Sequence, residues 1–116
     1  KVGSEGILAS YNVLLVCAAG MSSSLLERKT KEAAEKNGHT LTIHAVPVAE
    51  IVLYDFSTSP IELILIAPQV RYKKRSISEM VSPYGIITQD IEPTTFGMLD
   101  GDKLFMQIMQ AVPKEK

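Results

Sequence analysis

Tryptophan is absent from this chain, only seven of its residues are Tyr or Phe, and a single cysteine, Cys17, stands alone. One thiol cannot close an internal disulfide or build a four-cysteine zinc site. That cysteine usage suits a reducing compartment, and the expected location is the cytoplasm. The shortage of aromatic rings argues against a stacking platform for nucleic-acid bases. An excess of charge of one sign is missing too: 12 basic residues against 13 acidic give a formal net charge of -1. No global field is present to draw the chain to nucleic acid or an anionic membrane. Long apolar runs are likewise missing. The longest, Asn12–Ala19 and Leu63–Ala67, are strand-sized, far below the ~18–20 residues that cross a bilayer. No signal-peptide pattern is visible.

What is present fits one domain, since 116 residues lie within the usual domain size. Lys1–Tyr11 reads as a leader without a role in the fold, 12–113 as the single domain, and 114–116 as a tail. Asn12–Val16 is a continuous apolar run of the kind found in a central strand buried on both faces. A helix is expected over Ser23–Asn37, with Ser24-Leu-Leu-Glu27 as a capping box and Leu26, Thr30, Ala33 and Ala34 on one face. Thr40–Val46 alternates as a second strand. Ala49–Phe56 is expected as a short helix, Ile61–Ala67 as a third strand, and Lys73–Ser82 as a helix. Gly85–Thr88 follows as a short fourth strand and Asp100–Val112 as the last helix, with Asp100 as its N-cap. Strands alternating with helices imply a parallel sheet covered on both sides. The expected fold is α/β: a three-layer, doubly wound, four-stranded parallel sheet in the order 2-1-3-4.

Ligands of such sheets sit beyond the carboxyl ends of the strands, where the strand order reverses. In order 2-1-3-4 that point lies beside the first strand, and Cys17 follows it directly. The next residues, Ala18, Ala19, Gly20, Met21, Ser22, Ser23 and Ser24, lead to a helix N-terminus. Small residues allow backbone N–H groups to converge on an anion, and the helix end adds positive potential. A lone cysteine more often simply packs; its place at the ligand edge of the sheet reverses that balance. Neither His39 nor His44 falls at that edge, and both are expected to be structural or solvent-facing. No metal site or cofactor is implied by the scattered carboxylates.

A cysteine that carries a phosphoryl group fits this layout, and two known classes use one. Low-molecular-weight tyrosine phosphatases, whose fold is similar, and arsenate reductases have a C-x5-R-[ST] loop. Residue 23 is serine where they need arginine, and the chain has no Asp-Pro pair to serve as their general acid. The other class fits better. Val16–Ser24, Ala67–Tyr72 (APQVRY) and Phe96–Gly101 (FGMLDG) together resemble the enzyme IIB component of the phosphoenolpyruvate-dependent sugar phosphotransferase system, lactose/cellobiose/chitobiose family. Phe96 stands where that family has tyrosine.

The resemblance implies a phosphotransferase component with Cys17 as the phosphorylated residue and 18–24 as its phosphate loop. Its partners would be a IIA protein as phosphoryl donor and a membrane IIC permease on the acceptor side. Gln69, Arg71, Tyr72 and Phe96 are the candidate partner-facing residues, and Arg71 and Tyr72 belong to a basic stretch that runs from Arg71 to Arg75. A cysteine phosphatase or arsenate reductase, and a module that merely holds a small anion, are the alternative readings.

Overall fold

The computed structural model describes residues 9–18 and 23–113. The chain runs β1 (Ser10–Cys17), α1 (Ser23–Lys36), β2 (Thr40–Pro47), a 3₁₀ helix at Val48–Leu53, and β3 (Leu63–Ile66). A second 3₁₀ segment, Pro68–Lys73, feeds α2 (Lys74–Val81), and β4 (Ile87–Asp90), α3 (Pro93–Gly97) and α4 (Gly101–Ala111) complete it. The four strands form one sheet in the order β2-β1-β3-β4, and every pairing is parallel. This is the expected fold. α1 packs on β2 and α4 in one layer, while α2 packs beside β4 on the other.

Burial follows from that layering. Val13–Val16 of β1 and all of β3 are fully buried, which is why both read as unbroken apolar runs. β2 is an edge strand, so Leu41 and Ile43 turn inward while Thr42 and His44 are exposed. On α1, Leu26, Thr30, Ala33 and Ala34 are all buried, as their spacing predicts. The Thr30 hydroxyl is satisfied inside the helix by donating to the Leu26 carbonyl at 2.7 Å.

The first strand starts earlier than the apolar run suggests. Ser10 and Tyr11 belong to β1, so the reading of Lys1–Tyr11 as having no part in the fold is corrected at those two residues. Polar Asn12 interrupts the apolar pattern, yet the Tyr11 ring is buried and meets Phe105 edge-on at 5.7 Å and His39 at 5.9 Å. His39 is thus a packing residue, and its Nδ1 accepts from the Ala9 N–H. Tyr11→Ala should cost about 3 kcal/mol, as large aromatic truncations in cores do. Urea denaturation measures it, and a loss below about 1 kcal/mol would show that this cluster does not carry the packing assigned to it.

Other boundaries move for local reasons. Gly85 has φ +74 and closes the turn after α2, so the fourth strand begins at Ile87 rather than Gly85. The helix expected at Ala49–Phe56 is the 3₁₀ segment Val48–Leu53. The helix expected from Lys73 begins at Lys74, because Pro68 starts a separate 3₁₀ coil. α3 has no counterpart in the sequence reading. It ends in a Schellman turn: Asp100 N–H bonds the Thr95 carbonyl and Leu99 N–H the Phe96 carbonyl, with Leu99 itself left-handed at φ 52. Asp100 then caps α4 by accepting from Lys103 N–H at 3.0 Å, as expected.

Candidate functional site

Cys17 is the last residue of β1, opposite Pro47 of β2, rather than the first residue beyond the strand. One position earlier, Val16 pairs with Val46 on one side and Ile66 on the other. β1 is where the strand order reverses, so Cys17 sits at the switch point of the sheet. Its side chain is only 4% exposed, and the thiol donates to the Val46 carbonyl at 3.5 Å. α1 starts at Ser23, which brings the positive end of a helix to the same edge of the sheet. Ala18 is half-buried and Ser24 exposed. Ala19, Gly20, Met21 and Ser22 of the expected phosphate loop lie outside the described residues, as does the Ser23 side chain.

The capping box is not formed as expected. Ser24 is already inside α1, and Glu27 Oε1 accepts instead from the Ala45 N–H of β2 at 3.3 Å.

Gln69, Arg71 and Tyr72 all lie on the 3₁₀ segment that continues from the carboxyl end of β3 and touches β1. Buried Val70 anchors this segment, and the other three are exposed, Tyr72 to 75%. They therefore share the Cys17 edge of the sheet. The basic stretch divides: Lys74 pairs with Asp90 at 3.4 Å and Arg75 with Glu79 at 3.4 Å, while Arg71 and Lys73 stand exposed. Phe96 does not join them as a surface residue. It is 5% exposed, on the buried side of α3, which corrects its reading as partner-facing: an aromatic ring without a hydroxyl has no polar tip to keep in water and turns inward.

Sequence reasoning missed an apolar groove of about 510 Å³ beside this edge. Val48, Ala49, Ile51, Val52, Ile77 and Met80 line it, with Lys73 and Ser76. The signal was there in Val48-Ala-Glu-Ile-Val-Leu53, more apolar than a surface turn requires. Asp90, near the ligand edge but set aside among the scattered carboxylates, proves to have a partner. It ends β4, its Oδ2 holds Lys74, and its Oδ1 is buried without a hydrogen-bond partner among the described residues. No cluster of three His, Cys, Asp or Glu side chains suited to a metal is found among the described residues. No helix among them is long and apolar enough to cross a membrane.

A doubly wound parallel sheet with a cysteine closing its central strand, ahead of a helix N-terminus, defines a class of small α/β domains. Within that class, residues 12–107 match the family described as "PTS system, Lactose/Cellobiose specific IIB subunit". The chain belongs to this IIB family, and is a phosphotransferase component of a sugar phosphotransferase system.

Individual relatives agree. The galactose-specific EIIB component of Lactococcus lactis subsp. cremoris is 33% identical over 99 residues, 84% of this chain and 92% of the relative. The cellobiose-specific EIIB component of Lactococcus lactis subsp. lactis gives the same figures. The oligo-beta-mannoside-specific EIIB component of Bacillus subtilis is 33% identical over 97 residues, 84% of this chain and 91% of the relative. The solution structure of the cellobiose-specific IIB component from Borrelia burgdorferi superposes with a TM-score of 0.67 at 30% identity, covering 88% of this chain and 91% of that one. The lactose-specific IIB domain from Streptococcus pneumoniae shares the fold, with a TM-score of 0.74 at 20% identity over 89% of this chain and 98% of that one.

Proposed function

We propose that this chain is a cytoplasmic phosphoryl carrier working through cysteinyl phosphate at Cys17. The observation that carries the reading is the place of that thiol: the last residue of the central strand, at the switch point, ahead of the N-terminus of α1. A phosphohistidine on a IIA protein presents phosphorus to the sulfur. Cys17 reacts as the thiolate: the S–P bond forms as the P–N bond breaks, the departing electron pair returns to the imidazole nitrogen, and that nitrogen takes up the proton the thiol gave up. Backbone N–H groups of Ala18, Ala19, Gly20, Met21, Ser22, Ser23 and Ser24 take the equatorial oxygens, with help from the helix end. A sugar hydroxyl held by the membrane IIC protein then attacks phosphorus, the O–P bond forms as the S–P bond breaks, and the hydroxyl's proton passes to the released sulfur, restoring the thiol. The arrangement supplies its positive potential from backbone and helix, so no metal or cofactor is invoked.

Gln69, Arg71 and Tyr72 form the rim on which partners dock, with the cationic side chain favouring an acidic partner surface and speeding encounter. The sugar is of the cellobiose, chitobiose or lactose type. Relatives equally similar to this chain carry galactose, cellobiose and oligo-beta-mannoside in their names, so likeness in this domain does not select among these sugars, and selection falls to IIC.

Reconstitution tests the reading. With phosphoenolpyruvate, the general phosphotransferase proteins and a IIA partner, the intact mass should rise by one phosphoryl group. Efficient hydrolysis of p-nitrophenyl phosphate by the chain alone would replace the carrier with a cysteine phosphatase.

A carrier must hold its phosphoryl group for the next acceptor, and residue 23 is where a phosphatase places arginine. Ser23→Arg puts a bidentate guanidinium at the loop's exit, where it would stabilise transfer to water as well. The phosphocysteine lifetime of this variant should shorten by about tenfold, the scale of one charge-assisted contact. An unchanged lifetime would remove this explanation of the serine.

A further inference from the structure

We propose that Glu27 is a positioning residue: it ties the helix that follows the phosphate loop to the same stretch of β2 that holds the Cys17 thiol. This inference rests on the carrier reading. β2 is an edge strand, so alternate N–H groups along it face away from β1 and need an acceptor from outside the sheet. At Ala45 that acceptor is Oε1 of Glu27, at 3.3 Å. The adjacent residue, Val46, offers its carbonyl to the Cys17 sulfur at 3.5 Å. Two consecutive residues of one strand therefore hold both ends of the loop, the nucleophile before it and the first turns of α1 after it.

Packing alone does not supply this. Leu26, Thr30, Ala33 and Ala34 press α1 onto the sheet and α4, but apolar burial is non-directional and tolerates a small slide along the helix axis. A hydrogen bond from a backbone N–H to a carboxylate has a direction. It sets where the N-terminus of α1 stops relative to Cys17, and so where the donors of that first turn meet the phosphoryl oxygens. The S-x-x-E pattern suggested that Glu27 serves its own helix end; its carboxylate reaches across to β2 instead.

Two measurements on Glu27→Ala and Glu27→Gln test the assignment, with thermal melting as the folding control. The first is amide hydrogen exchange at Ala45, which needs no phosphorylation. Glu27→Ala should expose this amide about tenfold, since a local bond governs local opening, and Glu27→Gln, which keeps an acceptor oxygen, should restore most of the protection. The second is the rate of phosphoryl uptake from the phosphorylated IIA protein. Glu27→Ala should slow it by about tenfold, within the cost known for sub-ångström to ångström misplacement of catalytic groups, and Glu27→Gln should recover to within about twofold of wild type. Wild-type protection of Ala45 in Glu27→Ala would overturn the tether. Exposure of Ala45 with unchanged uptake would overturn its role in positioning. Failure of Glu27→Gln alongside Glu27→Ala would show that charge, not a directed acceptor, matters, and would also overturn it. A wild-type chain that gains no phosphoryl group sinks the carrier reading instead, and the exchange measurement then decides the tether alone.

Discussion

Cys17→Ser will gain no phosphoryl group under conditions that fully phosphorylate the wild-type chain, and it will still fold. Serine is smaller by the difference between sulfur and oxygen and fits the buried site at the end of β1. Its hydroxyl inherits the Val46 carbonyl as acceptor, now across a longer gap, so a loss of about 1 kcal/mol of stability is expected for an imperfectly satisfied hydroxyl. The chemistry is less forgiving. A hydroxyl needs an adjacent general base to become a nucleophile at neutral pH. The described residues place no histidine there: His39 packs against Tyr11 and Phe105, and His44 lies opposite Leu14, mid-strand and exposed. Intact mass after reconstitution gives the answer directly. A phosphoryl group retained in Cys17→Ser, mapped to His39, His44 or any other side chain, would end the cysteine mechanism.

Much of this architecture can be read from residue pattern, and the exceptions have physical causes. β1 and β3 announce themselves because a parallel strand covered on both faces must be apolar throughout. The edge position of β2 shows as alternation, since only one of its faces is covered. The strand order follows from crossover rules once the elements are placed. Tyr11 is missed because burial of an aromatic ring depends on Phe105, a partner far along the chain that no local pattern reveals. The fourth strand is misplaced because Gly85 looks like the start of a strand and is in fact the left-handed end of the preceding turn.

The site is legible to a different degree. The position of Cys17 at the sheet edge follows from topology. The convergence of Gln69, Arg71 and Tyr72 on that edge follows from parallel strands delivering every strand-to-helix connection to one side. What sequence cannot provide is the destination of an individual side chain. Glu27 satisfied a local motif and bonds elsewhere, and Phe96 sits in a surface-looking motif and turns inward. For Glu27 the partner is the Ala45 N–H of β2, and its pull exceeds a local capping preference worth about 1 kcal/mol.

The same lesson separates the two glycines of Phe96–Gly101, the motif that resembles the family signature before the last helix. Gly101→Ala will be strongly destabilising and Gly97→Ala will not. A Cβ built on Gly101 falls 2.4 Å from both the carbonyl carbon and oxygen of Lys29 and 2.8 Å from the Thr30 nitrogen. These are backbone atoms of α1, so no side chain can rotate out of the way and the whole helix must shift. Overpacking of this kind costs about 1–3 kcal/mol or somewhat more, and the gain in helix propensity from alanine is below about 1 kcal/mol. Destabilisation wins, by about 2 kcal/mol, which lowers the melting temperature by roughly 8–12 °C in a domain of this size. At Gly97 nothing lies within 4 Å of the added carbon, so alanine there should be neutral or mildly stabilising. The consequence reaches the site, because the helix that Gly101 lets in close is the one whose N-terminus follows the phosphate loop. Gly101→Ala should therefore slow phosphoryl uptake even at temperatures where the variant is fully folded, whereas Gly97→Ala should not. Equal melting temperatures for the two variants would show that α1 and α4 do not meet as closely as their backbones are placed. Normal uptake by a folded but destabilised Gly101→Ala would show that the loop tolerates a displaced helix.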